Sequence, residues 1–281
     1  MISALQKQPN GTIQLTITIP SLEVKKTWEE VLQASIKNVS IPGFRKGNAP
    51  KKLAEEKIDR EAVREEVLKK LLPTHYLEAI KEHNLHPVIN PKIHVEKLED
   101  PETLSESKGW QFIALTCETP SVELNSYKEN VKKVTAKSKI VIPGKETPAP
   151  KFEDVVKALL DSVVVKIPEI LSENEVERLL SQTLDEIKRL GLNLDQYLAS
   201  TGRTAETLRA EYRKRAENDL KLEFALQKIA EEERIAVEEK EITEAIQKAK
   251  SEEEKRNLEN NRYLLANILR QQKTLDFLKN L

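Results

Sequence analysis

The stretch Ile41-Pro42-Gly43-Phe44-Arg45-Lys46-Gly47-Asn48-Ala49-Pro50 is a loop by composition, and its flanks organise the first half of the chain. Two glycines bracket a Phe-Arg-Lys triplet, and Pro42 and Pro50 fence the unit. Such a segment is expected to present an aromatic ring and two cations to solvent. From Val31 to Ala54 no acidic residue occurs, while Lys37, Arg45, Lys46, Lys51 and Lys52 are basic. The whole chain of 281 residues carries a net charge of only −1, so this basic run is local. It suits docking onto an anionic surface.

Upstream of the loop, Val24, Trp28, Val31, Leu32 and Ile36 recur at helical spacing, with Ser21 expected at the cap. Before them Ile13, Leu15, Ile17 and Ile19 alternate with polar residues, a half-buried strand that Pro20 ends. Downstream, Pro50 fits the first turn of a helix. Leu53, Ile58, Val63, Val67 and Leu71 lay an apolar stripe along it, and Pro73 is expected to kink or restart it before Tyr76, Leu77 and Ile80. Ile93 to Leu98 and Trp110 to Cys117 read as two more strands. The expected fold is an α+β N-terminal domain, with three strands in a small antiparallel sheet against two helices, followed by an all-α C-terminal domain with helical arms. Pro120 to Val134 reads as an extended, polar exit segment. The domain boundaries expected are 1–135, a Pro-rich linker at 136–151, and 152–281.

Composition supports two domains rather than one compact enzyme. At 281 residues the chain exceeds the size at which a single core suffices, and 33% charged against 4% aromatic residues favours long solvated helices. Residues 1–97 hold 16 basic and 12 acidic side chains, and the remainder holds 30 and 35, so the halves differ in sign. The single cysteine, Cys117, excludes an internal disulfide framework and reads as a small core residue. No apolar run approaches the ~18 residues needed to span a bilayer, and Met1 to Thr12 lacks a leader pattern. A cytoplasmic location without a membrane partner is expected.

In the second half, Phe152 to Leu160 reads as an amphipathic helix and Val163 to Ile167 as an extended stretch stopped by Pro168. Ser172 with Glu175 matches a capping box, Gly191 fits a C-terminal cap, and Val176, Leu179, Leu180, Leu184, Ile187 and Leu190 share a face. Thr204 is expected to start a long helix carrying Leu208, Tyr212, Leu222, Leu226 and Ile229. After a break at Ile235-Ala236-Val237, a second capping match at Ser251 and Glu254 precedes a last helix through Leu258, Leu265, Leu269 and Phe277.

The sequence Ile41-Pro42-Gly43-Phe44-Arg45-Lys46-Gly47-x-x-Pro50 resembles the signature of trigger factor, the bacterial ribosome-associated chaperone. The second half resembles the substrate-cradling domain of that family. The residues concerned are Val165-x-Ile167-Pro168, Gly202 before the long helix, and the run from Ala230 to Ile242. The resemblance implies ribosome docking near the exit tunnel of the large subunit through Gly43, Phe44, Arg45, Lys46 and Gly47. It implies shielding of nascent or unfolded polypeptides by apolar residues of the cradle, with Val176, Leu180, Leu184, Leu222, Leu226, Leu265 and Leu269 as candidate contacts. No cofactor is expected, and a homodimer off the ribosome is a further partner to consider.

One departure is large. Family members usually carry a peptidyl-prolyl isomerase module of the FK506-binding type between the two halves. Fewer than twenty residues separate Val134 from Phe152 here, and a module needs at least ~50. No enzymatic activity is therefore expected. His83 and His86 lie three apart beside Glu82, but Pro87 should end any helix there, which argues for surface histidines over a metal site. Two rival readings are an RNA-binding or ribosome-assembly factor using the same basic loop, and a shortened prolyl isomerase.

Overall fold

The computed structural model describes residues 2–40, 44, 50–55, 57–101, 109–138, 151–249 and 251–281. Two units form, Met1–Thr119 and Pro120–Leu281. In the first, β1 (Ile2–Lys7), β2 (Ile13–Pro20), α1 (Ser21–Asn38), α2 (Lys51–Glu55), α3 (Arg60–Glu82), β3 (Lys92–Lys97) and β4 (Gly109–Thr116) follow in order. The four strands make one antiparallel sheet in the order β1-β2-β4-β3.

Alternation dictates this unit's core. The inward residues of β2, Ile13, Leu15, Ile17 and Ile19, are all buried, as are Trp110, Phe112 and Ala114 on β4. They meet Val24, Trp28 and Val31 of α1 and Val63, Val67, Leu71 and Ala79 of α3 in a single cluster. Each buried Val, Leu, Ile or Phe among them contributes about 1.5–3 kcal/mol, so the sheet and the two long helices stabilise one another. Trp110 completes the arrangement by donating its indole N–H to the Glu99 carbonyl at 2.8 Å.

Three local expectations are corrected. The stripe from Leu53 to Leu71 is not one helix: the chain turns after Glu55, and the Asp59 carboxylate accepts from the Glu61 N–H at 2.9 Å to cap α3. Pro73 lies inside α3 and does not end it. An interior proline costs a helix about 3 kcal/mol, and the burial of Leu71, His75, Tyr76 and Ala79 on both sides of it offsets that cost. Ser21 is the first helical residue, with Pro20 in the cap position.

The second unit runs β5 (Val122–Glu123), α4 (Tyr127–Ser138), α5 (Phe152–Ser162), β6 (Val164–Val165), α6 (Glu169–Arg189), α7 (Leu194–Thr201), α8 (Ala205–Glu232), α9 (Glu239–Gln247), α10 (Glu252–Asn260) and α11 (Arg262–Asn280). Apart from a two-residue β5–β6 ladder, its regular elements among the described residues are helices. Its apolar residues are divided among separate clusters. Tyr127, Val131, Val155, Leu159, Leu226, Ile229 and Leu278 form the largest. Val176, Leu179 and Ala216 join α6 to α8, and Ile242, Ile246 and Leu265 join α9 to α11. Small separate cores are what elongated arms produce, because each arm buries only the stripe it shares with its neighbour.

The segment 120–135 is the clearest correction. It is not an extended exit from the first domain: Leu124, Tyr127 and Val131 are buried in the second unit's main cluster. Tyr127 and Val131 mark the buried face of α4, and Lys128, Lys132 and Lys133 are exposed off it. Ser172 does not cap a helix either; α6 begins at Glu169, with Leu171 and Ser172 N–H groups bonded to the Pro168 carbonyl. The last helical stretch is two helices broken at Asn261. The linker residues from 139 to 150 lie outside the described residues.

Candidate functional site

In sequence the basic segment lies between α1 and α2. Helix α1 is fixed by Val24, Trp28 and Val31, and ends where the Val39 N–H donates to Ser35 O at 2.9 Å. Lys37 in its last turn is exposed, where a cation also favours the helix C-terminus. Helix α2 restarts the chain, with the Ala54 N–H bonded to the Pro50 carbonyl. Between them the structure describes Phe44, which is 44% exposed. Gly43, Arg45, Lys46 and Gly47 lie outside the described residues. An exposed phenylalanine is costly to leave in water and is a natural anchor for a partner.

The seven apolar candidates are not brought into one surface. Val176 is buried between α6 and α8, with Leu180 packed against the same cluster. Leu226 is buried in the main cluster and Leu222 flanks it. Leu265 is buried, and Leu269 packs beside it. Leu184 alone among the seven is exposed.

Leu184 has exposed neighbours along the chain that are not among the seven candidates. Leu190, Leu192 and Leu194 are also exposed, Leu190 at 73%. The turn that carries them is built by Gly191 at φ +72, with the Gly191 N–H bonded to Lys188 O and the Leu192 N–H to Ile187 O. Asn193 then caps α7 in a reciprocal box with Gln196. The signal was present in Leu190-Gly191-Leu192-Asn193-Leu194, where three leucines occupy a turn that polar residues usually fill. A second exposed set, Tyr263, Leu264 and Ile268, lies on α11.

Other groups are structural. Cys117 is fully buried, and burial pushes its thiol up to about 11. The Ser3 hydroxyl donates to Glu82 at 2.6 Å and lies 2.9 Å from His83 Nε2. Among the described residues no group of three or more His, Cys, Asp or Glu is placed to hold a metal. No described helix is long and apolar enough to cross a membrane.

The family model described as bacterial trigger factor protein matches residues 1–146, and that of the trigger factor C-terminus matches residues 125–280. The chain belongs to the trigger factor family. Trigger factor of Natranaerobius thermophilus is 33% identical over 128 residues, which are 46% of this chain and 27% of that protein. Trigger factor of Corynebacterium aurimucosum is 31% identical over 164 residues, 57% of this chain and 32% of that protein. The chain thus spans about a third or less of the curated relatives it matches. A solved structure from work on promiscuous substrate recognition in the folding and assembly activities of the trigger factor chaperone superposes with a TM-score of 0.66. That match covers 100% of this chain and 99% of the other at 14% identity, and shows a shared trigger factor fold.

Proposed function

We propose that the chain is an ATP-independent chaperone that docks at the ribosomal exit tunnel through Gly43, Phe44, Arg45, Lys46 and Gly47 and shields apolar segments of nascent or unfolded chains. Arg45 offers a planar fork for a carboxylate or phosphate, Lys46 a point charge, and Phe44 an apolar anchor. Domain roles follow: the α+β unit docks and the helical unit holds. The chain works in the cytoplasm, where its one thiol stays reduced.

The observation that carries the reading is the set of exposed leucines on the last turns of α6 and at the α6–α7 turn, Leu184, Leu190, Leu192 and Leu194. Apolar burial needs no sequence specificity and no nucleotide, which is what shielding of varied chains requires. Met occurs only at position 1, so rigid leucines take the place of the flexible Met surface used by other promiscuous binders. The reading excludes prolyl isomerisation. The two family models overlap at residues 125–146, which supports a direct join of the halves with no module inserted.

The intact chain is expected to suppress aggregation of a denatured test protein without ATP. Replacing Leu184, Leu190 and Leu192 together by Ser should weaken that suppression severalfold while leaving helix content unchanged, because these side chains support no core. Full suppression by the triple variant would remove the turn from the holding surface. An RNA-binding role is favoured by the acid-free basic segment; naked RNA binding that falls steeply with salt would support it instead.

A further inference from the structure

Strand β6 has a used edge and an unused one. Val165 stands opposite Val122, and the Lys166 N–H donates to the Ser121 carbonyl at 3.4 Å. Antiparallel pairs alternate between bonded and non-bonded. The bond from Lys166 makes Val122–Val165 the non-bonded pair, so the Val165 N–H and C=O point away from β5. Among the described residues neither has a partner.

On that side lies a cavity of about 600 Å³, open to solvent. Its walls are Val163–Val165 of the strand region, Glu173 of α6, and Arg213, Glu217 and Lys221 of α8. No residue of β5 lines it, which places it against the unused edge. The Val163 side chain is buried in the neighbouring core and Val165 packs against the same cluster, while Val164 is exposed and adds its side chain to the wall beside the outward Val165 backbone. The wall charges are of both signs, and Lys221 already donates to the Leu160 carbonyl at 2.6 Å. That lining suits neither an anion nor a cation. It suits a ligand carrying donors and acceptors in alternation, which is another main chain. The volume falls within the ~300–1,000 Å³ usual for a ligand site.

We propose that the outer edge of β6 takes an extended polypeptide segment as an added strand, recognised through its backbone. The inference rests on the holding function proposed above and names a binding mode for part of it. Main-chain hydrogen bonds give affinity without reading side chains, so the site is indifferent to substrate sequence.

The test uses the intact chain and fluorescent eight-residue Thr/Val peptides, one unmodified, one N-methylated at alternate residues and one at consecutive residues. Alternate methylation leaves one peptide edge able to pair, so binding should stay within about twofold; consecutive methylation blocks both edges and should weaken it at least tenfold. Val165→Pro, which removes the outward N–H and spares the Lys166 bond to β5, should weaken the unmodified peptide at least fivefold. Should that variant not fold, the methylation series on the unaltered chain decides alone. Equal binding of all three peptides overturns strand addition, and continued suppression of aggregation would then leave the holding function standing. Absence of any peptide binding also overturns it, and the holding function falls too if suppression is lost. Self-association abolished by Val165→Pro, without peptide binding, would assign the edge to a second copy and overturn the proposal.

Discussion

The Tyr127 hydroxyl donates to Glu233 Oε1 across 3.1 Å, tying the first turn of α4 to the end of α8. Lys128 Nζ reaches the same oxygen at 2.6 Å. The Lys128 ammonium is the largest influence holding the Glu233 carboxyl below its usual range, with the Tyr127 hydroxyl acting in the same direction. Burial first, and then the Glu233 carboxylate, push the Tyr127 phenol above its ordinary value.

A carboxyl whose folded value is depressed stabilises the fold above its unfolded value, near 4.5, and loses that contribution as pH falls through the folded value. Glu233→Gln should therefore lower stability at pH 7 by about 1 kcal/mol or less, the pair being partly solvated. Urea midpoints should show the gap between variant and parent closing as pH drops below 4.5. A gap that stays constant with pH would assign no role to the charge.

Gly109 faces Pro20 at the end of the β2–β4 ladder, and a Cβ there would meet the Ile19 carbonyl oxygen at 2.0 Å. Backbone cannot yield as a side chain can. Gly109→Ala should cost about 1–3 kcal/mol by forcing the central strands apart. Gly191→Ala meets nothing within 4 Å and pays only for its left-handed backbone, about 1–2 kcal/mol. Denaturant titrations should show the sheet signals loosening in the first variant alone. An unperturbed Gly109→Ala would contradict the close approach.

Cys117 makes a second pH prediction, of opposite sign. Its thiol rises from an unfolded value of 9.0 to about 11 in the fold, so the neutral form is favoured by folding. The contribution is complete below pH 9 and is lost as pH climbs toward 11. Between those values the intact chain should lose stability relative to Cys117→Ala, and the thiol should resist alkylation at pH 8 until denaturant is added. Rapid alkylation of the native chain would contradict full burial.

The strongest sequence signals were the ones that tertiary structure reinforces. The alternation in β2, the caps at Thr204 and Ser251 and the turn at Gly191 are all found where their chemistry put them. The misses share a cause: packing partners distant in sequence. Strand β1 is an edge strand with Ile2 and Leu5 exposed, so it shows no buried alternation, although Asn10-Gly11 is a hairpin signal. Helix α4 is dense in lysine, and its stripe has meaning only against α5, α8 and α11. Pro73 is tolerated because the core grips α3 on both sides. The apolar candidates were chosen by helical periodicity, which finds buried faces. That is why Val176, Leu226 and Leu265 proved internal, while Leu192 and Leu194, beyond the end of the α6 stripe, escaped notice.

The central claim is that the basic segment between α1 and α2 docks the chain on ribosomes. Sedimentation of the chain with purified ribosomes tests it most directly, comparing the parent with a Phe44→Ala, Arg45→Ala, Lys46→Ala triple variant. The parent should pellet with ribosomes and the variant should remain in the supernatant with an unchanged circular dichroism spectrum, since loop substitutions away from core features seldom shift stability by much. A variant that still pellets as the parent does would contradict the claim.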